Sequence, residues 1–320
     1  MIQKTIENGD SPQRFGISGS RLLPIVALYC LWVIISLLVL YLGSFIPYNK
    51  IPVNITVPVS TVSFIILASF ITAGFMVYQE RHLRDTTSLR YFSLVFTVLI
   101  AAGLFLYVRV TGKTNNLIFI IGTANLLMFA NLLGTWIVNP LKRPAELVPV
   151  CVVMSLTDLF SVLGGPTQQI AQSVKSYYVG GMKGPTPVGD FLLFKVAVPG
   201  YEKVLPIFGV ADWIIVAFLV AAVVKFRIND NLVGKSLNTM VEKGRVSIYL
   251  PVSALGLMAA VLLAQFSGIA LPALPIISFF FLSYIMVKDP NAGKLKGSDW
   301  RLILLFSVVM IGLFAVLYYK

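Results

Sequence analysis

The chain has 320 residues, of which 58% are hydrophobic and only 12% charged, with a mean hydropathy of +0.88 and a formal net charge of +12. A soluble domain could not hide that much apolar surface, so the composition describes a polytopic membrane protein and excludes a disordered chain or a small stapled scaffold. One His and two Cys are too few for a His/Cys zinc cage, a haem ligand pair or a Ser-His-Asp triad, and no metal or organic cofactor is expected. Cys30 and Cys151 both lie in apolar runs and read as small buried hydrophobes rather than a disulfide. In a soluble protein, 25 Lys and Arg against 13 Asp and Glu would suggest nucleic acid. Here the bases sit between apolar runs, so orientation in the bilayer explains them and no nucleic-acid partner is expected.

Residues 1–22 form a polar N-terminal segment followed by no small-residue cleavage signal, so no removable signal peptide is expected. A bilayer core needs about 20 apolar residues per helix, and such runs occur at roughly 23–43, 57–78, 91–108, 117–138, 147–163, 205–224, 247–266, 271–287 and 302–319. The expectation is an all-α protein of about nine transmembrane helices. Its parts are a four-helix N-terminal section (23–138), a second membrane section (146–287) and an extra C-terminal helix (302–320). The seventh and eighth runs are divided only by Ser267-Gly268-Ile269-Ala270, after which Pro272 suits the first turn of a new helix. Tyr78, Tyr91, Trp300, Tyr318 and Tyr319 stand at run ends, where interface anchors belong.

The connections are short except for residues 164–204, a Gly- and Pro-rich stretch long enough to suggest a function. Within it, residues 190–198 read as a short strand or a re-entrant piece, preceded by turns at Gly180-Gly181 and Gly184-Pro185. With the N-terminus in the cytoplasm, seventeen Lys and Arg fall on the inner side and eight outside. That bias places the long loop and the C-terminus outside. His82, between Arg81 and Arg84, reads as a solvated loop residue, and Asn54-Ile55-Thr56 fits a glycosylation sequon.

Eleven of the thirteen acids lie in loops or at run ends, whereas Asp158 and Asp212 lie inside apolar runs. A carboxylate there costs about 2.5–3.5 kcal/mol even on the lenient insertion scale, so each is a functional candidate. No Lys, Arg or His occupies a similar depth as a partner. Asp158 lies about six residues before the end of its run and Asp212 about seven after the start of the next, each roughly 10 Å deep. Consecutive antiparallel helices would bring the two to one level. Two close carboxylates cannot easily both ionise, so the pair would hold a single proton and could activate water. On the acids alone, a proton relay, a protease dyad and a packing role all stay open.

The surrounding residues carry a resemblance. Asp158-Leu-Phe-Ser-Val-Leu-Gly-Gly-Pro166 resembles the first catalytic motif of presenilins. Gly209-Val210-Ala211-Asp212 is similar to the Gly-x-Gly-Asp motif of intramembrane aspartyl proteases. Pro272-Ala273-Leu274-Pro275 is similar to their Pro-Ala-Leu motif. The order also agrees: acid, long loop, acid, one helix, then Pro-Ala-Leu. Residues 146–287 thus resemble the catalytic part of the presenilin and signal peptide peptidase family.

The resemblance implies a presenilin-like bundle and an aspartic endopeptidase that cuts single-span membrane proteins within the bilayer. It makes Asp158 and Asp212 the catalytic dyad. Gly209, Ala211, Pro272, Ala273, Leu274 and Pro275 become the substrate-binding residues. Ala211 departs from the family by one methyl where Gly is usual, and Thr157 stands where presenilins usually have Tyr. The alternatives are a proton-coupled transporter built on the same acids and an inactive relative that binds membrane helices without cutting. Pro272 and Pro275 leave backbone groups partly unpaired, which inside a bilayer need protein or water to satisfy them. An unwound substrate strand would do so, and strand addition against residues 190–198 or the Pro-Ala-Leu segment would stabilise that unwound state.

Overall fold

A computed structural model describes residues 23–46, 52–82, 87–163, 165–182 and 184–318. The polar segment 1–22, Gly164 of the first motif and the terminal Tyr319 lie outside the described residues, as do Lys4, Arg14, Arg21, Lys50, Arg84, Lys183 and Lys320. Helices α1 (Leu23–Gly43), α2 (Val53–His82), α3 (Thr87–Thr111), α4 (Asn116–Ile137) and α5 (Leu147–Leu163) follow the first five apolar runs. His82 therefore closes a helix rather than standing in a loop. Then come α6 (Pro166–Val179), strands β1 (Leu193–Val196) and β2 (Leu205–Gly209), and α7 (Val210–Phe226). The chain ends with α8 (Leu237–Lys243), α9 (Val252–Ser267), α10 (Ala273–Lys288) and α11 (Gly297–Tyr318). The protein is predominantly helical, and five helices among the described residues are long and apolar enough to cross a membrane.

Two of the predicted runs are divided differently. Residues 205–209 form a strand, not the first turns of a helix, because Leu193–Val196 supplies an antiparallel partner. Residues 245–250 are not helical, and α9 starts only at Val252 with Pro251 as its N-cap. The long loop also holds a fourteen-residue helix, α6, with Pro166 in its first turn and Gly180 at its C-cap.

The core is organised around α7, whose residues Ile215 to Val223 are all buried. A helix apolar on every side belongs inside a bundle, not on its surface. It packs chiefly along α4, where Gly134 permits the contact: a Cβ at that position would lie 2.6 Å from the Phe218 backbone nitrogen. Because α4 also packs on α1 and α3, the N-terminal section and the second section share one core. Gly256 does the same for α9 against α10, where a Cβ would come 2.8 Å from Ile277 Cα.

Polar ties supplement this packing. The Asn131 carboxamide accepts from Thr72 Oγ1 and donates to Tyr29 Oη, each at 3.0 Å, joining α4 to α2 and α1. Gln265 of α9 donates to Thr61 of α2 at 3.0 Å. In a bilayer such interhelical bonds contribute where the hydrophobic effect between helices does not. At the opposite end of the bundle from the β-hairpin, Arg143 holds Asp299 through two contacts of 3.1 and 3.3 Å, fixing the start of α11 to the α4–α5 connection. Phe92, Leu99, Leu304 and Ile311 are exposed on outer helix faces, as lipid-facing residues should be. Cys30 is exposed there too, contrary to the expectation that it is buried. The stripe that α1 buries is Ile25, Tyr29, Trp32 and Ser36, and Cys30 lies off it.

Candidate active site

Asp212 owes its position to the hairpin that precedes it. Phe194 pairs with Phe208 across the two strands, and their rings stack at 4.9 Å. Both rings lie beside Trp213, at 6.3 and 6.1 Å, so an aromatic cluster seats the hairpin on the first turn of α7. Gly209 then serves as both the last residue of β2 and the N-cap of α7. Its N–H donates to Asp212 Oδ2 at 3.0 Å, a third-residue carboxylate satisfying an orphan donor at the helix start. Asp212 is thus in the first turn of α7, rather than about seven residues into a helix as the apolar run suggested.

Asp158 approaches from α5, which packs against α10. Its Oδ2 accepts the Leu274 N–H at 3.0 Å, and the Ala273 N–H also points toward it. These are orphan donors of the first turn of α10, where Pro275 has no N–H to lose. The Pro-Ala-Leu segment therefore binds the first acid directly: its free backbone groups are taken by Asp158. Pro272 is the N-cap, Leu274 is buried, and Ala273 and Pro275 are half-buried.

The two carboxylates lie within electrostatic reach of each other. Each sits at the positive end of a helix, which favours negative charge at both. No Lys, Arg or His forms an ion pair with either acid among the described residues. Ala211, directly before Asp212 in the first turn of α7, is exposed, and a Cβ at Gly209 would sit 3.5 Å from Asp212 Oδ2. Both positions stand beside the Asp212 carboxylate at the start of α7. Among the described residues no three His, Cys, Asp or Glu side chains cluster as a metal cage would require.

On sequence alone Lys195 is one of the bases of the long loop and Asp190 carries no role. In the structure they form a buried ion pair, Nζ to Oδ2 at 2.5 Å, with both side chains almost wholly out of solvent. Tyr178 of α6 donates to Asp190 Oδ1 at 3.0 Å, and the Lys195 ammonium lies 3.3 Å from the centre of the Phe119 ring. The Lys195 N–H donates to Thr123 Oγ1 of α4 at 3.2 Å, and Asn116 brackets the far end of the hairpin through Val204 N and Glu202 O. Thr123 is two turns below the start of α4, so β1 sits between helix ends rather than above them. The group binds α6, the hairpin and α4 into a single mount for Asp212. A Lys five residues after an Asp carries no periodic signal, so only the fold could disclose it.

Compared with protein-family models, curated proteins and solved structures, the chain matches none.

Proposed function

We propose that the protein is an intramembrane aspartyl endopeptidase that cleaves transmembrane helices of single-span substrates. The observation that carries this reading is that Asp158 and Asp212 stand at two helix N-termini within electrostatic reach of each other, with no cationic ion-pair partner among the described residues. In this reading the pair shares one proton. The protonated acid polarises the scissile carbonyl, while the ionised acid takes a proton from the attacking water. The tetrahedral species collapses as the leaving amine gains a proton, and the dyad returns to its starting state. Because the two acids titrate together, the roles belong to the pair.

A peptide bond inside a helix is shielded by its own hydrogen bonds, so cleavage requires local unwinding. The free edge of a two-stranded hairpin beside Asp212 offers an extended segment the pairing it lost. The motifs at Asp158, Gly209–Asp212 and Pro272–Pro275 support a presenilin-like bundle, and the apolar runs of the sequence support about nine spans. The excess of basic residues supports a cytoplasmic N-terminus with the hairpin side outside. With that orientation, substrates enter with their own N-termini inside, as do those of signal peptide peptidase.

Asp158→Asn and Asp212→Asn are each expected to abolish cleavage of transmembrane peptides while keeping the wild-type melting profile. Near-normal proteolysis in either variant rules out the dyad. A wild type that cleaves nothing but carries out proton-coupled uptake, lost in both variants, makes the protein a transporter instead.

A further inference from the structure

The connection between α7 and α9 is a tightly built knot with an apolar tip. The Asn231 carboxamide is buried and makes four bonds: Oδ1 accepts from Val233 N at 3.3 Å and Leu250 N at 3.0 Å, and Nδ2 donates to the carbonyls of Lys235 and Ile248 at 2.8 and 3.1 Å. Leu232 N donates to the Leu250 carbonyl at 3.1 Å, and a Cβ at Gly234 would lie 2.8 Å from the Ile248 carbonyl oxygen. Residues 231–235 are thereby clamped against residues 248–250. On this frame Leu232, Val233 and Ile248 are 40%, 57% and 72% exposed. Lys235 shares the Asn231 clamp with Ile248, and Arg245 stands three residues before Ile248. Arg227 and Lys243 lie elsewhere in the connection; all four basic side chains are exposed, and none forms an ion pair among the described residues. The acids of the same stretch are Asp230, which is buried, and Glu242.

We infer that this knot is an interfacial anchor: it sets Leu232, Val233 and Ile248 into the leaflet at its end of the bundle and gathers anionic phospholipid headgroups around Lys235 and Arg245. Depth favours it. Helices α7 and α9 have 17 and 16 residues, about 25 Å each, against a hydrocarbon core of about 30 Å. Helices that short draw the bilayer in and bring the connection between their ends to headgroup depth. Single exposed apolar residues are ordinary on a water-facing loop, but three on one clamped frame call for an apolar neighbour. Charge selects that neighbour. A protein interface is depleted of Lys at its core, whereas apolar tips flanked by bases are what an anionic lipid surface attracts. The anchor is separate from the dyad and does not depend on the protease reading.

Fluorescence from the tip tests it. In a Cys30→Ala, Cys151→Ala background, Val233→Cys and, separately, Ile248→Cys are labelled with a nitrobenzoxadiazole fluorophore. Each protein is reconstituted into phosphatidylcholine vesicles in which a nitroxide high on the acyl chain is carried by either phosphatidylglycerol or phosphatidylcholine at equal mole fraction. Both positions are expected to emit as in an apolar medium and to escape aqueous iodide. The phosphatidylglycerol nitroxide should quench them at a several-fold lower mole fraction than the phosphatidylcholine one. Lys235→Gln with Arg245→Gln should reduce that preference by up to about five-fold per base, the weight of one cation at a membrane surface. Lys113→Gln, in the α3–α4 connection at the hairpin end, should not. Water-like emission with iodide quenching at either position overturns the anchor and makes the tip a water-facing surface for a protein. Equal quenching by the two lipids also overturns it, as does a preference that survives the double substitution or that Lys113→Gln reduces as far.

Discussion

Replacing Lys195 by Met tests how the hairpin holds the second acid. The change preserves most of the side chain's length and apolar body but strips the charge from a pair that is almost fully buried. Asp190 is then left with the Tyr178 hydroxyl as its remaining hydrogen-bond donor among those described here. Removing one member of a buried pair costs about 3–5 kcal/mol, because the other charge stays uncompensated in a low-dielectric site. The ring contact with Phe119 is lost as well, adding about 2 kcal/mol at so desolvated a site. Removing both charges should be far milder, so Lys195→Met combined with Asp190→Leu is expected within about 1–2 kcal/mol of wild type. The assay is reversible unfolding in mixed micelles of increasing dodecyl sulfate content, followed by far-ultraviolet circular dichroism. Cleavage of a transmembrane peptide is measured alongside. The single variant should lose both stability and cleavage, and the double variant should regain most of each. A single variant that unfolds within about 1 kcal/mol of wild type would refute the mount, since an exposed ion pair contributes no more than that.

Three further outcomes follow from other parts of the molecule. Ala211 is exposed beside Asp212, so Ala211→Gly should keep or raise cleavage and broaden the substrates accepted in a peptide panel, at a helix cost of about 1 kcal/mol or less; severe loss would mean that this motif does not act as the resemblance implies. Burial pushes Asp230, in the connection after α7, up to about 7, with Tyr249 donating to Oδ1 at 2.8 Å and Oδ2 unpartnered. The folded state therefore binds this proton more tightly than the unfolded chain does, so the Asp230 contribution to stability is present at low pH and is lost as pH rises toward about 7; Asp230→Asn should remove that decline from melts taken across the range. For the orientation, Cys30 and Cys151 are replaced by Ala and a single Cys is placed at Ser173, an exposed position of α6; an impermeant thiol reagent should label intact cells, and labelling only after lysis would invert both the topology and the substrate polarity.

Local and non-local information separate cleanly along this chain. The bounds of α1 and α5 were legible because each is a predominantly apolar run ended by small or turn residues. Residues 205–209 were not, because an apolar strand that runs straight into a buried helix has no change of polarity to mark the join. The signals were Pro206, foreign to a helix interior, and Gly209 at the junction. Helix α6 could also have been read from Pro166 and Gly180, which bracket a polar stretch with apolar residues at helical spacing.

The two acids were found in the sequence by their cost alone, since carboxylates in apolar runs need a reason. Their motifs suggested the neighbours, and Pro272–Pro275 does meet Asp158. The direction of that contact was not legible. Unpaired backbone at the start of α10 was expected to await a substrate, whereas Asp158 accepts the Leu274 N–H from a helix more than a hundred residues earlier. The Asp190–Lys195 pair was hidden for a related reason. Its burial comes from α4 and α6 closing over the hairpin, and nothing within residues 190–195 records that.

The most direct test of the central claim is hydrolysis in heavy-oxygen water. Purified protein in phosphatidylcholine vesicles is incubated with single-span peptides, and the products are read by mass spectrometry. The account predicts paired fragments whose cut lies within the hydrophobic span, with one solvent oxygen in the new carboxyl group and none of these products from Asp158→Asn or Asp212→Asn. Wild-type protein that leaves every peptide intact, or fragments that persist in both variants, would contradict it.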